Sequence, residues 1–182
     1  MTDTITTADP GNGPPLNAEL LAKGLAAVRI FFGVILFANG VAKLVGINKF
    51  SFGPYSANLI DRGVTKGIIE NEGPRTELPL LGRIANDVIL PNWGFFQWVI
   101  TAMELGLGAL LIIGLASRAA ALADLGQQLF IAGLYFTSNR WMFEQPHEYV
   151  PLVILAIIPS GRVWGLDGRI LRKRPELLRW PF

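Results

Sequence analysis

ITAMELGLGALLIIG, residues 100–114, reads as a lipid-facing helix interrupted by one carboxylate, Glu104. An ionisable residue near the centre of a membrane helix costs about 3 kcal/mol even on insertion-based scales. Whatever offsets that cost organises the rest of the chain.

The surrounding apolar run extends from Trp93 to about Leu115. It opens on Trp93, Phe95, Phe96 and Trp98, an aromatic belt at headgroup level. The tight turn Ala-Ser-Arg, 116–118, leads into a further apolar run over 119–137, so these two segments form an antiparallel hairpin. Upstream, LAAVRIFFGVILFANGVAKLVGI (25–47) has the roughly 20 residues needed to cross ~30 Å of hydrocarbon. Asn17 is placed to cap a preceding amphipathic turn. Downstream, a shorter apolar segment covers 148–163. Its Pro151 suits a first helical turn, and its Pro159 ends or kinks the helix.

Composition agrees with a membrane protein. Hydrophobic residues make up 51% of the 182 positions, charged residues only 16%, and mean hydropathy is +0.41. Soluble domains carry about 25% charged residues. The expected fold is therefore all-α, an integral membrane four-helix bundle. It divides into a disordered N-terminal arm (1–20), the helical domain (21–170) and a basic tail (171–182). The arm MTDTITTADPGNGPPLN has no basic, apolar signal-peptide pattern, so the first span acts as its own uncleaved signal. The tail's Arg162, Arg169, Arg172, Lys173, Arg174 and Arg179 place it, the N-terminus and the 116–118 turn in the cytoplasm of a multi-pass cell-membrane protein. Membrane lipid is the implied contact of that basic run, and nucleic acid is not.

The connection over 48–92 is too long to be a bare loop. RIANDVIL (83–90) has helical spacing, which predicts at least one short interfacial helix there.

With no cysteine, the chain has no thiolate nucleophile, disulfide, or cysteine ligand for zinc or iron–sulfur. With a single histidine it builds no multi-histidine metal or haem site. No cofactor is held by its own ligand set. Gly106, Gly108 and Gly114 lie inside an apolar span, and they do not form a dinucleotide fingerprint.

Residues three and four apart share a helix face. That rule aligns Arg29, Gly33, Leu36, Gly40 and Lys43 in the first span, with Asn39 beside them. It aligns Gly94, Gln97, Thr101, Glu104 and Gly108 in the second, and Asp124 with Gln128 in the third, where Gln127 is adjacent. Small and polar residues on single stripes mark inward faces. At 1.5 Å per residue, Glu104 lies about 13 Å below the aromatic belt. Lys43, Asn39 and Gln128 come within its reach, and a Lys43–Glu104 ion pair offsets the burial. Such a cluster is structural glue, a ligand or proton site, or a contact to a partner subunit. His147 and Glu148 sit at the outer end of the fourth span. There a histidine is an interfacial anchor or a donor to a quinone carbonyl.

VRIFFGVILFANGVAKL (28–44), MELGLGALLIIGLASRAAAL (103–122) and SGRVWGLDGRI (160–170) resemble, in order and spacing, the helices and Gly-rich closing segment of the DoxX family. The resemblance implies a small four-helix membrane protein. Its relative DoxD is a subunit of thiosulfate:quinone oxidoreductase. By motif position it singles out Arg29, Lys43, Glu104, Arg118 and Asp167. This chain departs from the family in its long first loop and its lack of cysteine. The resulting expectation is a membrane subunit of a quinone-linked redox system. Glu104 and Lys43 form its reactive pair. Asn39, Gln128, Asp124 and His147 line a quinone site, and the partner is a redox protein or a second copy. The rival expectations are a scaffold without chemistry, whose working surface is the 48–92 segment, and a small transporter or lipid-handling protein.

Overall fold

The computed structural model describes residues 17–138, 146–177 and 181. Most of the expected N-terminal arm, the aromatic boundary at 139–145 and the end of the tail lie outside the described residues. The first helix, α1, runs from Ala18 to Val45 without a break. Asn17 caps it, its Oδ1 accepting from the backbone N–H groups of Glu19 (3.0 Å) and Leu20 (3.3 Å). The amphipathic turn and the first span are thus one helix of about 42 Å, and residues 18–20 belong to it rather than to the arm. Gly46 ends α1 at φ +75°, a left-handed conformation that glycine adopts without steric cost.

The 48–92 segment is a folded module. It begins with an antiparallel hairpin of β1 (Lys49–Phe52) and β2 (Tyr55–Asn58), which the sequence reading did not foresee. Helices α2 (Arg62–Glu72) and α3 (Pro79–Arg83) follow, and α3 continues into a π-helical turn over Ile84–Ile89. The helical spacing of 83–90 is realised in that turn, which buries Ala85 and Ile89. These pack with Ile69 of α2 and with Leu134 at the far end of the fifth helix. Thr76 Oγ1 donates to Gly133 O at 2.7 Å and fastens the module to the same place.

Helices α4 (Trp93–Ile113), α5 (Ser117–Leu134) and α6 (Pro146–Ile157) complete the long elements, and α7 (Leu166–Lys173) closes the chain. The α4–α5 turn is set by Gly114 (φ +64°) and Ala116 (φ +47°), so Ser117 and Arg118 lie inside α5 and not in the turn. Pro151 falls in the second turn of α6, because the helix opens at Pro146. Pro159 stops it as the sequence reading expected. The expected tail boundary at 170/171 falls inside α7.

α1 packs along α4, α4 meets α5, and α5 packs along α6. The α1–α4 crossing is close because both faces are small. A Cβ added to Gly108 would lie 2.6 Å from Phe37 N, and one added to Gly40 would lie 2.8 Å from Leu105 N. Gly108→Ala is therefore expected to cost about 1–3 kcal/mol, read as a lower thermal midpoint in nanodiscs. Gly106→Ala is the control, since a Cβ at Gly106 meets open space. An unchanged midpoint for Gly108→Ala would refute the close crossing.

The arrangement inverts that of a water-soluble core. The buried face of α1 consists of Ala26, Arg29, Gly33, Leu36, Gly40, Ala42 and Lys43, while Phe31, Val34, Ile35 and Phe37 face outward. α1 and α4 are each long and apolar enough to cross a bilayer. Only 22% of the most apolar stretch of each is buried, which is the pattern of a lipid-facing helix and not of a soluble core. The chain is a membrane protein, predominantly helical, with an extramembrane module at one end.

Candidate functional site

Lys43 ends the inward stripe of α1 one turn before its C-terminus. Glu104 lies halfway along the stripe of α4. The antiparallel crossing brings them together, with Lys43 Nζ 2.8 Å from Glu104 Oε2 and side-chain exposures of 2% and 8%. The approach is short but not aligned as a hydrogen bond, so the contact is Coulombic. Burying two charges is costly and is offset only where both find further partners. Glu104 Oε1 accepts from Gln127 Nε2 at 3.2 Å, and Lys43 Nζ donates to Ile60 O at 2.8 Å. Asn39 Oδ1 accepts from Ile60 N at 3.2 Å. One residue of the extramembrane module thus has both backbone groups held by α1.

Gln127, not Gln128, faces Glu104. Gln128 turns back along α5 and donates to Asp124 Oδ1 at 3.5 Å. Asp124 is buried, but in this separate contact. Asn39 stabilises the module and does not face Glu104. His147 is exposed in the first turn of α6 and forms no hydrogen bond to the pair. Of the six candidate residues, the structure unites Lys43 and Glu104, sets Asn39 one turn along α1, and leaves Asp124, Gln128 and His147 elsewhere. Gln127 escaped the sequence reading because a helix face is read to within one residue, and its neighbour fitted the spacing equally well. Among the described residues no cluster of three or more His, Asp or Glu side chains is placed to hold a metal.

Above the pair, an open cleft of about 410 Å³ lies between the ends of α1, α2 and α4. It is lined by Gly46, Asp61, Arg62, Gly63, Trp93 and Gln97. Asp61 caps α2, its Oδ1 accepting from Val64 N at 2.8 Å. Arg62 stands 4.5 Å from the centroid of Trp98, a cation–π contact that holds the guanidinium at the mouth. Gln97, Thr101 and Glu104 descend one face of α4, and Thr101 Oγ1 donates to Gln97 O at 2.6 Å. The cleft and the ion pair are therefore the top and bottom of one polar column, about 10 Å long at helical rise.

A second buried polar cluster lies at the opposite end. Asp167 Oδ1 accepts from Ala116 N (2.7 Å), and its Oδ2 accepts from Ser117 N (3.1 Å) and Ser117 Oγ (2.9 Å). Arg29, fully buried, donates from Nη2 to Trp164 O at 3.3 Å. Its Nη1 is packed against Gly114 and Gly165, where no Cβ would fit. Arg118 Nε donates to Ala156 O at 3.1 Å, tying α5 to α6. These three residues, singled out by the resemblance, all hold helix ends together.

Comparison with the curated proteins and with the solved structures gives no match. The DoxX family model matches residues 24–138, which takes in α1, the extramembrane module, α4 and α5 and stops before α6 and the Gly-rich closing segment. More than half of the chain is covered, including both residues of the buried ion pair, and the chain belongs to the DoxX family.

Proposed function

We propose that this protein is a multi-pass, four-helix subunit of a quinone-linked redox system in the cell membrane, with both termini cytoplasmic and α5 and α6 crossing alongside α1 and α4. One observation carries the reading: the cleft bounded by Arg62, Trp93 and Gln97 stands directly on the column that ends at the buried Lys43–Glu104 pair.

The cleft fits a quinone head group. It has the volume for one ring, an indole wall, and Arg62 and Gln97 as donors to carbonyl oxygens. When bound, a quinone would supply two-electron, two-proton chemistry. The chain's own part is to orient and to manage charge. Arg62 and Gln97 hold the polar edge of the ring, and Trp93 covers its face. Glu104 holds or releases a proton at Oε1, where Gln127 donates, and Lys43 fixes a positive charge beside Oε2. Electrons come from a redox partner, since the sequence has no cysteine and one histidine.

The test is binding of a short-chain benzoquinone to the protein in nanodiscs, read by quenching of tryptophan fluorescence. Saturable binding is expected. Arg62→Ala should weaken it by the loss of a charge-assisted hydrogen bond, about 1.5–3 kcal/mol, or roughly tenfold and more in Kd. Absence of saturable quenching, or an unaltered Kd in Arg62→Ala, would overturn the quinone reading.

A scaffold role is the second reading, favoured by the grip of Lys43 and Asn39 on Ile60, which makes the extramembrane module a rigid surface. Leu80, 70% exposed on α3, lies on that surface. Under the scaffold reading Leu80→Asp abolishes recovery of a partner while Arg62→Ala leaves recovery unchanged. Under the quinone reading Arg62→Ala removes the quinone-dependent activity of the complex.

A further inference from the structure

The hairpin is amphipathic in a way that a helical reading of the chain conceals. Directly opposed residues of an antiparallel pair lie on the same face, and side chains alternate along each strand. The register pairs Phe50 with Ala57 and Phe52 with Tyr55, so Phe50, Phe52, Tyr55 and Ala57 form one face. Lys49, Ser51, Ser56 and Asn58 form the other. Gly53, at φ +58°, supplies the positive φ that a two-residue turn needs at its first central position. Phe50, Phe52 and Tyr55 are 53%, 77% and 64% exposed, and among the described residues nothing covers them. An isolated two-stranded hairpin is marginal in water and needs a surface to pack on.

Where the ribbon sits limits what that surface can be. Three residues, 46–48, separate it from the end of α1, a reach of about 10 Å. Gly46 N and Ile47 N both donate back to Ala42 O (2.8 and 3.0 Å), so the tether is folded onto the helix end. The other end returns to α1 through Ile60, held by Lys43 and Asn39. Both ends of the ribbon are thus fixed to the last two turns of a lipid-facing helix, next to the exposed Leu44, Val45 and Ile47.

We propose that the β1–β2 ribbon is a lipid-interface anchor. Its aromatic face lies in the headgroup–acyl boundary of the outer leaflet and its Lys49–Ser51–Ser56–Asn58 face is toward water. Aromatic side chains favour that depth, and lysine keeps its ammonium in water while its stem lies along apolar surface. The proposal rests on the membrane-spanning reading of α1 and not on the quinone reading. It gives the extramembrane module a fixed height over the bilayer, and so holds the cleft at Arg62 at the membrane surface.

The absence of native cysteine allows a direct test on the full chain. Ala57→Cys (aromatic face), Ser56→Cys (polar face) and Val34→Cys (lipid-facing middle of α1) are each labelled with an environment-sensitive fluorophore in phosphatidylcholine nanodiscs. Labels are challenged with iodide in water and with lipids carrying a nitroxide near the headgroup or deep in the chain. At Ala57 a blue-shifted emission is expected, quenched by the shallow nitroxide and several-fold less by iodide than at Ser56. At Val34 the deep nitroxide should dominate. Equal iodide quenching at Ala57 and Ser56, with Val34 still deep, would overturn the anchor and leave the spanning helix standing. So would shielding at Ala57 only in native membranes, which would make the face a protein contact. Loss of the deep signal at Val34 would instead overturn the spanning reading, and the anchor with it.

Discussion

Glu104→Ala alone is expected to destabilise the protein by about 3–5 kcal/mol, the cost of leaving one charge of a buried pair without its partner. The geometry makes the loss severe. Lys43 is 2% exposed, and its remaining contact is one carbonyl, Ile60 O, which cannot neutralise it. Lys43→Ala should cost a similar amount and also release Ile60, loosening the module above the cleft. Replacing both partners by apolar residues of similar size, Lys43→Met with Glu104→Leu, removes the charges together and should restore most of the thermal midpoint. The strong non-additivity is the signature of a direct pair. The same double variant separates the functional readings. If the pair is only a brace, quinone binding and any partner-dependent activity return with the fold. If Glu104 handles a proton, the folded double variant stays inactive. Additive losses in the two single variants would show that the pair does not exist in the bilayer.

Much of this geometry could be read from the chain. Spacings of three and four placed Arg29, Gly33, Leu36, Gly40 and Lys43 on one face, and the structure buries those five residues. Depth counting from Trp93 brought Lys43 and Glu104 level, because α1 and α4 are straight and antiparallel. The partner from α5 was misread by one residue, since Gln127 and Gln128 flank the same line and spacing cannot rank them. The hairpin went unread for a different reason. KFSFGPYSAN does alternate, but each strand is four residues long and sits in a chain whose dominant period is helical. The cleft was invisible for a third reason: Arg62 and Gln97 are far apart in sequence and meet only through the fold of the 48–92 module. The role of Asp167 was legible only through family resemblance. Its partners lie fifty residues away, and no local signature links them.

That long-range contact carries the second large effect. Asp167→Ala is expected to cost about 3–5 kcal/mol, on the same principle of a buried charge removed from its partners. Asp167 is 1% exposed and closes the start of α5 by accepting from Ala116 N, Ser117 N and Ser117 Oγ. Ordinary caps come from the residue next to the helix and are worth about 1 kcal/mol. This one comes from α7, so its loss also frees the closing segment, where Asp167 N donates to Gly114 O at 2.9 Å. Gly161 N donates to the same Ser117 Oγ at 3.1 Å, and Arg29, on which the Asp167 charge acts, holds Trp164 O. Asp167→Asn keeps one accepting oxygen but turns an amide N–H₂ toward donors, so an intermediate loss of about 1–3 kcal/mol is expected. Arg29→Met should be strongly destabilising alone and less so when combined with Asp167→Asn, because the second change then removes a charge that has already lost its counterpart. Thermal midpoints of the four proteins in nanodiscs decide the matter. A midpoint unchanged in Asp167→Ala would mean that α5 is capped by water at the cytoplasmic surface. The closing segment would then be a passenger on the bundle instead of its lock.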